Sequence, residues 1–196
     1  MRSPQHRVFG RPGAVIGMVH VAALPGTPRA SADVKQIVRS AVDEARLLAD
    51  GGVDAILIEN MHDVPYRMRR VGPEITAAMA AVGCAIRQAV DRPLGVQILA
   101  GANREALAVA LACDACFVRV EGFVYAHVAD EGLMADADAG ALLRYRRAMG
   151  ATDIDVWADI KKKHSSHAIT ADVDLAETAR TAAFFGADAL VITGLA

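Results

Sequence analysis

Gly51-Gly52-Val53-Asp54-Ala55-Ile56-Leu57-Ile58-Glu59-Asn60 is the stretch whose reading decides the fold. Two glycines end whatever precedes them, as left-handed helix caps do. Val53 to Ile58 then reads as a strand whose body past Asp54 is apolar at both parities, which marks a strand covered on both faces, the condition of a parallel sheet buried under helices. The strand runs straight into a carboxylate and an amide, so its tail is polar where its body is not.

Working outward, the same grammar repeats along the chain. Upstream, Ala14 to Val19 reads as a strand and Leu24-Pro25-Gly26-Thr27-Pro28 as a forced loop, after which Val34, Ile37, Val38, Ala41, Ala45 and Leu48 recur at helical spacing. Downstream, the pattern predicts a helix from about Pro73 to Val90, a strand over Leu94 to Leu99 and a helix from Arg104 to Cys113. A strand over Cys116 to Val120 follows, then a long polar loop, a helix near Ala139 to Met149 and a strand over Asp155 to Ile160. A last helix from Asp172 to Phe185, stopped by Gly186, leads to a sixth strand at Ala189 to Thr193. Strands alternating with helices of this length require crossover connections, so the fold class is α/β with a parallel sheet. Periodicity alone leaves open whether the sheet is a doubly wound one or a barrel. The first turn lacks a G-x-G-x-x-G, and almost every strand ends in a polar residue, which favours a parallel (β/α) TIM-type barrel over a sheet with one switch point. Residues 1–12 read as a flexible leader and 13–196 as one partial barrel domain.

Composition narrows the function classes. The 196 residues are 54% hydrophobic and 22% charged, with a formal charge of −2. This describes a packed globular chain without the basic field that draws nucleic acid. Basic clusters at Arg67 to Arg70, Arg144 to Arg147 and Lys161 to Lys163 hold a single interleaved aromatic, Tyr145, and so no series of aromatics for base stacking. Each apolar burst is far shorter than the roughly 20 residues a membrane helix needs. The expectation is a soluble protein that binds a small molecule, with no nucleic acid and no membrane span. Three cysteines, Cys84, Cys113 and Cys116, without a secretory signal point to a reducing compartment. That compartment is read as the cytoplasm, or an organellar matrix if the basic, acid-free first dozen residues belong to a targeting peptide. Cys113 and Cys116 form a C-x-x-C that lacks the second pair of a zinc site and reads as ordinary thiols.

The chemistry-bearing residues fall at strand ends. His20 ends the first strand, Glu59 and Asn60 the second with Asp63 close behind, Arg119 and Glu121 the fourth, and Asp159, Lys161, Lys163 and His164 the fifth. A charge at the tail of an apolar strand is costly unless it is paired or faces a cavity, so its recurrence predicts a polar pocket on one rim. Period-two alternation would aim Asp159, Lys161 and Lys163 to one side, and Arg119 with Glu121 likewise. On this reading Glu59, Asp159 and Lys161 are the catalytic candidates. His20, Asn60, Asp63, Arg119, Glu121, Lys163 and His164 are ligand-binding candidates, with Arg119 as an anion clamp. A ring of ion pairs that merely closes the mouth is the bland alternative. His164 and His167, three apart in a loop, are weak evidence for a metal, and none is assigned; no cofactor is named. Gly95 to Asn103, GVQILAGAN, offers either a backbone cradle or turn glycines.

IGMVHVAALPGTP, DAILIENMHDVPY, GVQILAGAN, FVRVEGFVYAHVADEGLM and ADIKKKHSSHAITADVD, in this order along Val15 to Gly194, together resemble the BtpA/SgcQ family. The resemblance implies a barrel of the ribulose-phosphate-binding type. It carries over His20, Glu59, Asn60, Asp63, Arg119, Glu121, Asp130, Glu131, Lys161, Lys163, His164 and Asp172 as positions of interest, without an assigned mechanism. It implies a photosystem I biogenesis role for cyanobacterial members and a sugar or nucleoside enzyme role for SgcQ-like ones. Family members continue past the sixth strand, so about six of eight units are expected here, by truncation, a split gene or an incomplete gene model. The resulting sheet edges favour pairing with another chain, including a second copy. The functional expectations are a barrel enzyme, or a fragment of one, acting on a phosphosugar or nucleoside-like ligand; a non-catalytic assembly factor using the barrel as scaffold; or an inactive truncated paralogue.

Overall fold

The computed structural model describes residues 12–194, so nearly all of the basic leader lies outside the described residues. Six parallel strands, β1 (Ile16–His20), β2 (Ala55–Glu59), β3 (Leu94–Gln97), β4 (Phe117–Val120), β7 (Asp155–Ile160) and β9 (Ala189–Ile192), pair in that order. Between them run α1 (Val34–Asp50), α2 (Pro73–Ala89), α3 (Asn103–Ala112), α4 (Ala139–Ala148) and α5 (Leu175–Phe184). This is a curled, partial (β/α) barrel, with β1 and β9 at the two ends of the sheet.

Local sequence sets the helix ends. Asp33 caps α1 by accepting from the Gln36 amide while the Gln36 side chain accepts from the Asp33 amide, a reciprocal capping box. Pro73 opens α2 at a position whose N–H needs no intrahelical partner. Asp174 caps α5 by accepting from the Glu177 amide, which starts that helix three residues later than the hydrophobic period suggests. At the amino ends of the strands two aspartates staple neighbours together. The Val15 amide donates to Asp54 Oδ2 and the Val156 amide to Asp188 Oδ2, each at 2.8 Å.

Alternation along the strands divides the core in two. Outward residues such as Val19, Ile56, Ile58, Val96, Val118, Val120, Val156 and Ile160 lie buried beneath the helices in the larger cluster. Inward residues Ala55, Leu57, Phe117 and Trp157 form a second cluster, flanked by Ile16, Met18, Ala189 and Val191. Phe117 and Trp157 stack with ring centroids 3.8 Å apart. Gly95 makes that stack possible, since a Cβ there would lie 2.2 Å from the Phe117 ring. Its role is therefore packing, not the ligand cradle that GVQILAGAN offered as one option. On β9 the outward residues Leu190 and Ile192 are exposed.

The long loop expected after β4 is not featureless. His127–Ala129 (β5) and Gly132–Met134 (β6) form a hairpin, and Ser165–Ser166 (β8), from the loop after β7, pairs with β5. Strands of two and three residues are too short to show a period, and this sheet exists because two rim loops meet. Among the described residues no helix is long and apolar enough to cross a membrane.

Candidate functional site

The carboxyl ends of the strands carry the polar set. In register, His20 pairs with Glu59 and Glu59 with Gln97, so the tails of β1, β2 and β3 stand side by side. Glu59 continues the inward series of Ala55 and Leu57, Gln97 that of Gly95, Arg119 that of Phe117, and Asp159 that of Trp157. Strand alternation thus aims the four at the barrel axis above its apolar floor. Glu59, Gln97, Glu121 and Asp159 are all buried.

Their pairing is uneven. Arg119 Nε donates to both Asp159 oxygens, at 3.1 and 3.2 Å, and Lys162 Nζ donates to Glu121 Oε1 at 2.8 Å. Glu59 has only His20, whose Nε2 stands 3.6 Å from Glu59 Oε2. Burial raises the Glu59 pKa above the ordinary carboxylate range; Arg119 opposes that shift, and Glu121 and Asp159 add to it. Burial also raises Asp159, against the pull of Arg119. Gln97 Oε1, Glu121 Oε2 and His127 Nε2 are buried without a hydrogen-bond partner. Buried polar atoms are nearly always paired, so three orphans near one mouth are informative.

Two rim residues escaped the sequence reading. Gln97 sits in register with Glu59, a signal that was present once the strands were aligned. Lys162 could not be found by alternation, because β7 ends at Ile160 and Lys161 adopts φ 49, which breaks the period and turns Lys162 back to Glu121. Of the three residues expected to share one side, Asp159 and Lys161 line one cavity together with Lys162, and Lys163 is exposed. Lys161 Nζ donates to the Thr170 carbonyl at 3.1 Å. Lys163 is exposed, with its amide donating to Thr193 Oγ1, and His164 is exposed at φ 59.

Asn60 and Asp63 are likewise occupied by scaffold bonds. Asn60 Oδ1 accepts from the Leu99 amide and its Nδ2 donates to Asp63 Oδ2, while Asp63 Oδ1 accepts from the Leu24 amide. Together they tie the loops after β1, β2 and β3. They also line a separate cavity of about 270 Å³ with Gly26, Thr27, Tyr66 and Arg67. Asn103, the first residue of α3, clamps Glu121 from behind: its Nδ2 donates to the Glu121 carbonyl and its Oδ1 accepts from the Glu121 amide. Arg69 donates to the Gly122 carbonyl and pairs with Asp138, fixing the same turn.

His127 lies under the hairpin, its ring 5.7 Å from that of His167, and burial with Lys162 nearby lowers its pKa to about 4. Among the described residues, no three His, Cys, Asp or Glu side chains are grouped to hold a metal ion. Cys113 is a buried thiol whose pKa burial pushes up to about 12, and all three cysteines are free. This fits the reading of ordinary thiols.

Comparison with known proteins bears on family and fold. A family model described as the BtpA family matches residues 11–196. An uncharacterised mitochondrial protein of Caenorhabditis elegans is 47% identical over 187 residues, covering 93% of this chain and 67% of that protein. The photosystem I biogenesis protein BtpA of Synechocystis is 35% identical over 159 residues, covering 81% of this chain and 55% of the relative. Among solved structures, 2,3-dimethylmalate lyase, a PEP mutase/isocitrate lyase superfamily member, superposes with a TM-score of 0.55 at 15% identity, covering 99% of this chain and 64% of that one. At that identity the likeness concerns fold alone.

Proposed function

This chain belongs to the BtpA family, and on that premise we propose that its strand-end rim is the ligand site of a barrel enzyme acting on a phosphosugar or nucleoside-like small molecule. The observation that supports this most is the pair of buried, partnerless oxygens on Gln97 and Glu121. A purely structural ring of ion pairs would satisfy them, because an unmade buried hydrogen bond costs about 1–3 kcal/mol.

Within this reading Glu59 is the acid–base group. Its pKa is raised toward the working range by burial, and it lacks the strong cation that pins Asp159. Such groups contribute roughly 10² to 10⁴ in rate. Asp159 holds Arg119 in place with Nε, leaving the rest of the guanidinium to meet a substrate. Lys162 orients Glu121, and Lys161 acts at the outer edge of the site, where its bond to Thr170 would be exchanged for a substrate group. The test is a thermal-shift screen of sugars, sugar phosphates and nucleosides against the wild type, Glu59→Gln and Lys161→Ala. A hit that stabilises the wild type and is lost in Glu59→Gln supports the assignment. A hit that stabilises all three equally refutes it.

A second reading has one observation in its favour, the photosystem I biogenesis role from which the Synechocystis relative takes its name. A non-catalytic assembly factor would use the barrel as a scaffold. It requires that replacing Glu59 and Asp159 together spares the cellular phenotype, whereas the enzyme reading requires that the phenotype be lost.

A further inference from the structure

The rim's hydrogen-bond and charge inventory narrows what can sit there. Arg119 is paired through Nε with Asp159 and Lys162 with Glu121, while Lys161 donates to the Thr170 carbonyl. Of the three carboxylates Glu59, Glu121 and Asp159, Glu59 alone has no lysine or arginine in direct contact among the described residues; its near neighbour is His20 at 3.6 Å, with Arg119 and Lys162 acting from farther off. Two of the buried rim atoms without partners, Glu121 Oε2 and Gln97 Oε1, are acceptors, and the third, His127 Nε2, donates or accepts according to its tautomer. Glu121 Oε2 is the second oxygen of a carboxylate whose Oε1 accepts from Lys162 at 2.8 Å, and a carboxylate oxygen accepts. Gln97 Oε1, in register beside Glu59, is an acceptor as placed. Around Glu59, Gln97 and Glu121 the oxygens left unmet call for donors.

We infer that the ligand meets this rim through a neutral or cationic, donor-rich face, hydroxyls or a protonated amine, and that an anionic group such as phosphate is not what Glu59, Gln97 and Glu121 recognise. This rests on the ligand-site reading above and deepens it. A phosphate set against Glu59 and Glu121 would bring like charges close together in a poorly solvated mouth. If the substrate is a phosphosugar, its ring hydroxyls lie on this rim and its phosphate lies elsewhere. The expected hydrogen bonds run from ligand O–H or N–H to Glu121 Oε2, Gln97 Oε1 and the Glu59 carboxylate, with the Arg119 Nη groups donating to a ring oxygen.

Three probes of one shape isolate the charge: ribose, its pyrrolidine iminosugar analogue (1,4-dideoxy-1,4-imino-D-ribitol, protonated at pH 7) and ribose 5-phosphate, with inorganic phosphate as a fourth. Each is titrated into the whole chain while backbone-amide NMR shifts of Gln97, Arg119 and Glu121 are followed. The iminosugar is expected to saturate these shifts at about tenfold lower concentration than ribose, a modest return for a unit charge near a carboxylate. Inorganic phosphate is expected to leave these amides unmoved and not to compete with ribose for them, and ribose 5-phosphate to shift them as ribose does. In Glu59→Gln the iminosugar's advantage should fall to within about twofold, since the amide keeps the shape and removes the charge; Glu121→Gln is a second variant should the first fail to fold. Saturation of these amides by inorganic phosphate, or displacement of ribose from them by inorganic phosphate, overturns the ligand class while leaving a ligand site in place. If no probe moves these amides, the ligand-site reading falls and this inference falls with it.

Discussion

Replacing Arg119 with methionine should reveal how much of the mouth's stability depends on Asp159. The two partners are unequally placed: the Asp159 side chain is 1% exposed and that of Arg119 is 21% exposed. Removing the arginine strands a carboxylate that water cannot reach, and breaking a buried pair in this way costs about 3–5 kcal/mol. Removing the charge on the aspartate instead leaves a guanidinium that can turn toward solvent, so Asp159→Asn should cost about 1 kcal/mol or less. The deficit of the arginine variant should depend on pH with a definite sign. Burial already raises the Asp159 pKa above 3.8, and losing Arg119 removes the main opposing influence. The native state then holds its proton to higher pH than the unfolded chain does, so stability falls as pH rises through the window above 3.8 and recovers as pH drops toward 4. Urea unfolding of both single variants and of the Arg119→Met/Asp159→Asn double variant, at pH 8 and pH 5, measures all of this. The double variant should regain most of the loss, because the interaction is pairwise. Equal costs for the two single variants, or an Arg119→Met deficit identical at both pH values, would show that Asp159 is not a buried charge and would remove the electrostatic basis of the site.

Other outcomes can be checked alongside. His127 titrates at about 4 in the fold against 6.5 when free, so the unfolded chain binds the extra proton between those values. Its contribution is present above pH 6.5 and lost as pH falls toward 4, amounting to about 2 kcal/mol after allowing for partial solvation, and His127→Phe should abolish that slope in a pH series of urea unfolding. Gly95→Ala places a methyl group 2.2 Å from the Phe117 ring and should cost about 1–3 kcal/mol, partly recovered by adding Phe117→Leu, as read by thermal melts. Glu59→Gln should stabilise the chain at pH 7, because a carboxyl whose pKa is raised in the fold opposes folding once ionised. Melting curves at pH 7 and pH 4 should show that gain at the higher pH alone.

Much of the architecture was legible because it rests on local and periodic properties. Apolar strands covered on both faces, glycines at Gly51-Gly52 and Gly186, and the polar strand tails led to a parallel barrel, and Asp155–Ile160 matched its expected strand residue for residue. Asp174 shows where periodicity overruns, since capping rather than hydrophobicity starts α5. The β5–β6–β8 sheet was not legible, because nothing local makes three residues a strand until two loops from different units meet. Glu59, Arg119 and Asp159 could be placed on one rim by alternation. The same rule failed one residue past β7, where Lys161 takes a left-handed conformation and the inward lysine becomes Lys162.

By itself the amino-acid sequence determined the succession of strands and helices, the parallel sheet and the end of it on which charge collects, since all of these follow from burial acting on residues close in the chain. Only the tertiary structure decided which polar groups are spent on the scaffold, as Asn60 and Asp63 are, and which remain buried and unanswered, as Gln97 Oε1 and Glu121 Oε2 do. Hydrogen-bond satisfaction is a property of pairs, and the partners in these pairs stand about 40 residues apart, as Asn60 does from Leu99, Arg119 from Asp159 and Lys162 from Glu121.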